Sequence, residues 1–178
     1  MSARVFTATW LGVLPAVVLA SGCAVKRIDN GVYHSSKGYR VAIPGERWTP
    51  VADSPADLEL RHGASAGVIA ANATCDGATS RRGSRLLTRQ LLMGVRDRTV
   101  LENGEITIAG RPAAHAVLDA RREGSDGRVR IETIVLTDNR CVYDFMHVAP
   151  PAAFAETQDD FTRFVDSFRT ELSQCKRC

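Results

Sequence analysis

An apolar run from Val5 to Ala20 fills the start of this 178-residue chain, with Arg4 as the one charge before it and the small residues Ser21 and Gly22 behind it. The run is shorter than the roughly 20 apolar residues that a membrane-spanning helix needs, and Pro15 interrupts it. A basic start, a short apolar stretch and small closing residues form the pattern of a secretory signal. Residues 1–22 are therefore expected to stand outside the fold. The rest of the chain is then expected to fold where thiols oxidise.

The segment ends Leu19-Ala20-Ser21-Gly22-Cys23, and here the chain resembles the lipobox of bacterial lipoproteins. In that family the cysteine after a small residue receives diacylglycerol and the signal is cut just before it. The family favours leucine three places before the cysteine, where this chain has Ala20, with Leu19 one place earlier. The resemblance implies lipidation at Cys23 and a domain held on the non-cytoplasmic side of a membrane, because two or three acyl chains anchor stably. Asp directly after the cysteine can retain such a protein in the inner membrane. Ala24 stands there, which favours the outer membrane, facing the periplasm, in a cell that has one.

Residues 23–31 read as a tether, 32–174 as a single domain and 175–178 as a short tail. A composition of 44% hydrophobic and 24% charged residues fits one globular domain of this length. The net charge of +3 is too balanced to point to nucleic acid as a partner. Tyr39 to Ile43 reads as a strand closed by Pro44-Gly45, with Trp48 and Pro50 covering an edge of the core. Asp57 to His62 alternates as a half-buried strand does. Gly63 to Gly67 is a hairpin-like loop, and Val68 to Ala73 returns as a strand of small residues.

Ser84 is placed to cap a helix running to about Arg98, with Leu87, Leu91 and Val95 on one stripe. Asn103-Gly104 reads as a tight turn. Glu105 to Ile108 begins another strand, broken by Gly110-Arg111-Pro112. Ala114 to Ala120, Arg128 to Thr137 and Arg140 to Val148 form a meander, the last with Cys141, Tyr143, Phe145 and His147 on one face. A terminal helix then presents Phe154, Phe161, Phe164, Val165, Phe168 and Leu172. This order predicts an α+β fold, an antiparallel sheet packed against helices.

The stretch Tyr39 to Pro44 followed by Trp48 resembles the opening of PsbP-like domains. The small-residue strand at Val68 to Asn72, the leucine-rich helix, the Gly110 to Ala113 turn and the closing Phe161 to Phe168 follow in that family's order. The resemblance spans about residues 32 to 170. It implies a PsbP-like α/β sandwich, shared by the PsbP subunit of photosystem II, DcrB-type lipoproteins and a Ran-binding nuclear transport factor. Those relatives are mostly binding or assembly proteins with no common active site, so the resemblance implies no catalytic residue, cofactor or metal here. Function inferred from fold is analogy.

With Cys23 assigned to lipid, Cys75, Cys141, Cys175 and Cys178 remain. Four cysteines permit three pairings. A Cys75–Cys141 bridge would leave Cys175 and Cys178 to pair locally or with a partner chain. Cys175-Lys176-Arg177-Cys178 is also a C-x-x-C, but it follows a helix, whereas a redox pair opens one. It supplies only two of the four ligands of a zinc site. His34, His62, His115 and His147 show no catalytic spacing and read as sheet-face residues at a rim. Arginine accounts for 20 of the 23 basic residues. Arg81, Arg82, Arg85, Arg89, Arg96 and Arg98 cluster around the first helix, either as a solvated face or as a patch for anionic headgroups or an acidic partner. The acidic segment Glu156 to Asp160 complements the helix dipole at the start of the second helix and could pair with those arginines. No G-x-S-x-G, H-E-x-x-H, P-loop or Rossmann pattern is expected. The expectation is a non-catalytic, lipid-anchored envelope module. The alternative is an exported thiol–disulfide exchanger or small hydrolase.

Overall fold

The computed structural model describes residues 27–76, 88, 95–122, 124 and 127–171. Cys23, Arg81, Arg82, Arg85, Arg89, Cys175 and Cys178 lie outside them. Two antiparallel sheets and one helix make up the described fold, so the α+β expectation stands in a sheet-rich form. The small sheet holds β1 (Arg27–Asp29), β2 (Val32–His34), β3 (Tyr39–Ala42) and β11 (Arg169–Thr170), in that order. The large sheet runs β4 (Trp48–Pro50), β5 (Leu58–His62), β6 (Val68–Thr74), β10 (Val142–Ala149), β9 (Arg128–Thr137), β8 (Arg111–Arg122), β7 (Val95–Ile108). Helix α1 (Phe154–Asp166) packs on β10 and β3.

Alternation along the strands decides which residues meet. Leu58 and Leu60, Ile69 and Ala71, Tyr143 and Phe145, Ile134 and Leu136 all face one side and are buried. Helix α1 lays Phe161, Phe164 and Val165 on that side, and Tyr33, Tyr39 and Val41 close it from the small sheet. The centre is aromatic: the Phe168 ring lies 4.9 Å from Tyr143, 5.2 Å from Phe145 and 6.0 Å from Tyr39. The opposite face carries separate apolar clusters around Leu118, Ile131, Val135 and Val142.

Four sequence expectations need correction. Arg27–Asp29, read as tether, pair with Val32–His34 through the Asn30-Gly31 turn, whose residues have φ of 47° and 74°. Positive φ at both positions is what a two-residue hairpin turn requires. The helix drawn to Arg98 cannot reach that far, because Val95 to Arg98 belong to β7. Asn103-Gly104 does not turn: β7 continues through it, with Asn103 opposite Ala116 and Gly104 opposite His115. The turn comes at Ala109-Gly110, φ 48° and 76°. The terminal helix stops at Asp166, where the Ser167 hydroxyl donates to the Phe164 carbonyl (2.6 Å) and accepts from the Ala42 amide (2.8 Å). The chain then re-enters the small sheet as β11 instead of carrying its stripe to Leu172.

Cys75 and Cys141 are bonded, with Cα atoms 4.0 Å apart at the end of the β6–β10 ladder, where Thr74 opposes Val142. The ring they close is 66 residues around, a constraint on the unfolded chain of about 4 kcal/mol. Asp138 holds the turn before β10: its carboxylate accepts from the Cys141 amide (2.7 Å), the Arg140 amide (2.8 Å) and the Tyr143 hydroxyl (3.0 Å). Burial opposes its charge, yet those donors keep its carboxyl below the usual range.

The sheets are joined at Asp57. One carboxylate oxygen accepts from Lys37 Nζ (2.6 Å). The other accepts from the Tyr39 hydroxyl (3.1 Å) and the Ala73 amide (2.9 Å). Lys37 Nζ also donates to the Ala73 carbonyl (2.5 Å). Burial and the Asp57 charge raise the Tyr39 phenol far above its ordinary value, so it stays a donor. Asp57→Ala strands a buried amide, a buried hydroxyl and an ammonium, and should cost about 2–4 kcal/mol in urea unfolding. Replacing Cys75 and Cys141 together by Ser should cost about 4 kcal/mol in the same assay.

Candidate functional site

The polar chemistry of the core face collects along one cross-strand line. Val117, Glu132, His147 and Ile69 oppose one another across β8, β9, β10 and β6, and His115 sits two residues from Val117 on the same face. His115 Nε2 lies 2.8 Å from Glu132 Oε1. That hydrogen bond raises the His115 pKa, against the effect of burial and with help from the Glu132 and Glu102 charges. His147 is fully buried, not at a rim. Its ring is stacked on Phe154 at 4.4 Å and on Phe161 at 5.4 Å. Its Nε2 is 2.8 Å from Thr157 Oγ1, which in turn reaches the Phe154 carbonyl at 3.4 Å. Burial lowers the His147 pKa to about 4, although Glu132 and Asp160 pull upward. His147 Nδ1 and Glu132 Oε2 have no hydrogen-bond partner among the described residues.

Beyond Glu132, Asp119 and Arg130 form a two-pronged ion pair on directly opposed residues, 2.7 and 3.1 Å. The Arg130 guanidinium also lies 5.6 Å from the Phe154 ring centre. Asp160, the last residue of the acidic segment, is buried. It accepts from Trp48 Nε1 at 2.8 Å and pairs with Arg163.

The loop between β5 and β6 holds a feature that strand and helix periodicity does not reveal. Gly63-Ala64-Ser65-Ala66-Gly67 spells G-x-S-x-G, and the Ser65 hydroxyl lies 2.7 Å from His62 Nδ1. The expectation that the chain has no G-x-S-x-G pattern is corrected by these letters, which alone flag the serine. Its context differs from a nucleophile elbow, which links a strand to a helix and exposes the serine. Here the loop joins two antiparallel strands, and Ser65 is 9% exposed. Its backbone N–H donates to the same His62 Nδ1 at 3.1 Å. Nδ1 is thus an acceptor and the ring proton sits on Nε2, which has no partner among the described residues. A carboxylate on that nitrogen would complete a triad; the buried carboxylate nearby, Asp160, is committed to Trp48 and Arg163.

An open concavity of about 520 Å³ lies on the outer face of the small sheet. Asp29, Val32, His34, Arg40, Ser167 and Arg169 line it. Of the residues singled out from the sequence, His34 alone borders it, while Cys75 and Cys141 come together as a disulfide elsewhere. No group of three metal-ligating side chains is present among the described residues, and no helix there is long and apolar enough to cross a membrane.

No family model and no curated protein matches the chain. Solved structures do. Cyanobacterial PsbP (CyanoP) of Synechocystis sp. PCC 6803 aligns over 90% of this chain and 98% of that one, at TM-score 0.53 and 13% identity. LpqN of Mycobacterium tuberculosis, described as involved in cell envelope biogenesis, aligns over 78% and 87%, at TM-score 0.56 and 13% identity. A protein of Bacteroides thetaiotaomicron VPI-5482 aligns over 79% of this chain at TM-score 0.57 and 8% identity, and this chain spans 47% of that one.

Two interior groups set opposite pH responses. The His147 pKa falls from 6.5 to about 4 on folding. Between those values the unfolded chain binds the extra proton, so stability rises with pH. Half-buried Asp144 rises from 3.8 to about 7, through burial and the Asp57 charge against the pull of Lys37. Between those values the folded state binds the extra proton, so stability falls with pH. The two should nearly cancel between pH 4 and 6.5. Asp144→Asn should expose a loss of up to about 1.4 kcal/mol per pH unit on acidification through that window. His147→Gln should expose the reverse slope. Urea unfolding across that range reads both. The architecture that holds these groups, like that of its structural neighbours, is a PsbP-like fold.

Proposed function

We propose that this is a lipid-anchored envelope protein, attached through Cys23 on the non-cytoplasmic side and acting as a non-catalytic binding or assembly module. The observation that carries the reading is the Cys75–Cys141 bridge. A disulfide belongs to an oxidising compartment, and that is where the apolar run ending at Cys23 would deliver the chain. The likeness to LpqN, a protein involved in cell envelope biogenesis, supports the same setting. The polar groups of the core face support a binding role: most are bonded to one another, and the open concavity lies on a different sheet. In a cell with two membranes, Ala24 after the cysteine favours the outer one.

The mass of the mature N-terminal peptide tests the anchor: it should begin at Cys23 and carry acyl chains. Crosslinking in intact cells should then capture an envelope protein on the folded domain.

A small hydrolase is the second reading, favoured by the 2.7 Å Ser65–His62 contact. The two readings separate on one measurement. A fluorophosphonate probe should leave Ser65 unlabelled in the folded protein if the contact only braces the hairpin. Labelling that disappears in Ser65→Ala would establish the hydrolase instead. The Cys175–Cys178 exchanger would show as insulin reduction lost in the Cys175→Ser, Cys178→Ser variant.

A further inference from the structure

The small sheet opposes basic residues across every one of its strands. Arg27 pairs with His34, His34 with Arg40, and Arg40 with Arg169. One cross-strand row of β1, β2, β3 and β11 therefore reads Arg, His, Arg, Arg. Arg40 and Arg169 are exposed. Directly opposed like charges destabilise a sheet, and the large sheet avoids the problem at Asp119–Arg130, where the same geometry carries opposite signs. On the small sheet no carboxylate sits between the two arginines. Arg169 donates to the backbone carbonyls of Asp166 and Phe168, which leaves its charge in place, and Arg40 makes no ion pair among the described residues. The acidic neighbours are Glu171, bonded to His34 at 2.9 Å, and Asp29, at the other end of the concavity. The row borders that open cleft of about 520 Å³, with Val32 and Ala42 beside it.

Position supplies the occupant. Arg27 opens the folded domain four residues after Cys23, so its Cα lies at most about 14 Å from the cysteine's. An anchor at Cys23 would hold this face, more than any other, against the membrane surface. Two neighbouring guanidiniums offer the planar, multi-donor geometry that suits phosphate oxygens. We propose that Arg40 and Arg169, with His34 beside them, form a docking face for the phosphate groups of anionic phospholipid headgroups, so that the tether and the sheet orient the domain together. The proposal rests on the envelope reading and deepens it. A second arginine row at Arg96, Arg121 and Arg128 crosses the large sheet. There Arg121 has Asp97 at 3.7 Å, and none of the three lines the small-sheet cleft. It serves as the internal control.

The test is arginine footprinting with phenylglyoxal and mass spectrometry on the full chain. The protein is reconstituted in vesicles of phosphatidylcholine alone or of phosphatidylcholine and phosphatidylglycerol in equal parts. Arg40 and Arg169 should react several-fold more slowly on the mixed vesicles, while Arg121 and Arg128 keep one rate on both. Equal rates for Arg40 and Arg169 on the two compositions would overturn the proposal, as would protection of Arg121 and Arg128 in their place. Protection by inorganic phosphate in solution, with none from the mixed vesicles, would make this a soluble-anion site and also overturn it. The Cys23 peptide from the same digest separates the two readings. Unmodified Cys23 with Arg40 and Arg169 protected would end the anchor and keep the face; acylated Cys23 without protection would do the opposite.

Discussion

Asp57 precedes the large sheet's β5, yet its carboxylate takes donors from Lys37, from Tyr39 of the small sheet and from the backbone of β6, and the joining of the two sheets depends on it. Tyr39 is also the small sheet's contribution to the aromatic centre, where its ring meets Tyr33, Tyr143 and Phe168. The polar and apolar ties between the two sheets thus run through the same residue. Apolar contact alone tolerates sliding because it has no direction. Three directed bonds on one carboxylate fix which part of the small sheet faces which strand of the large one.

The interior of the large sheet follows a different rule. Its core face takes in a line of ionisable groups that a smaller apolar set could have filled. Each group is held by a neighbour one strand away or by helix α1: His115 by Glu132, Asp119 by Arg130, His147 by Thr157. Such groups destabilise when unpaired and contribute little net stability when paired. Their effect is to couple helix α1 to β10, because stacking on Phe154 and Phe161 and the bond to Thr157 all act on the one imidazole.

Much of this architecture was legible in the sequence. Alternation marked the strand near Val142, where Tyr143, Phe145 and His147 share the core face and register is tightly set, and a run of branched apolar residues marked Arg128 to Thr137, buried on both faces from Ile131 to Leu136. The spacing of Phe154, Phe161, Phe164 and Val165 marked the helix face. The failures came where local and long-range preferences part. The chain contains Asn-Gly twice. At Asn30-Gly31 it turns, with both residues at positive φ. At Asn103-Gly104 it stays extended, because β8 offers an unbroken partner from Arg111 to Arg122 and pairing on both sides of the dipeptide outweighs its turn preference. The Ser65–His62 contact was missed for another reason: the motif's letters lie inside a loop that already had an ordinary explanation. The basic row of the small sheet was invisible, since it assembles residues up to 142 positions apart that only the β3–β11 and β1–β2 pairings bring together.

The ring closed by Cys75 and Cys141, 66 positions apart, has a consequence for how the molecule withstands proteolysis. It encloses β7, β8 and β9, together with the Gly124 turn between the last two. A protease that nicks the chain anywhere inside that ring opens a loop without releasing a fragment. The N-terminal part, with β1 to β6, stays covalently joined to β10, helix α1 and β11. Damage in the most extended hairpin therefore leaves the residues of the aromatic centre on one covalent body.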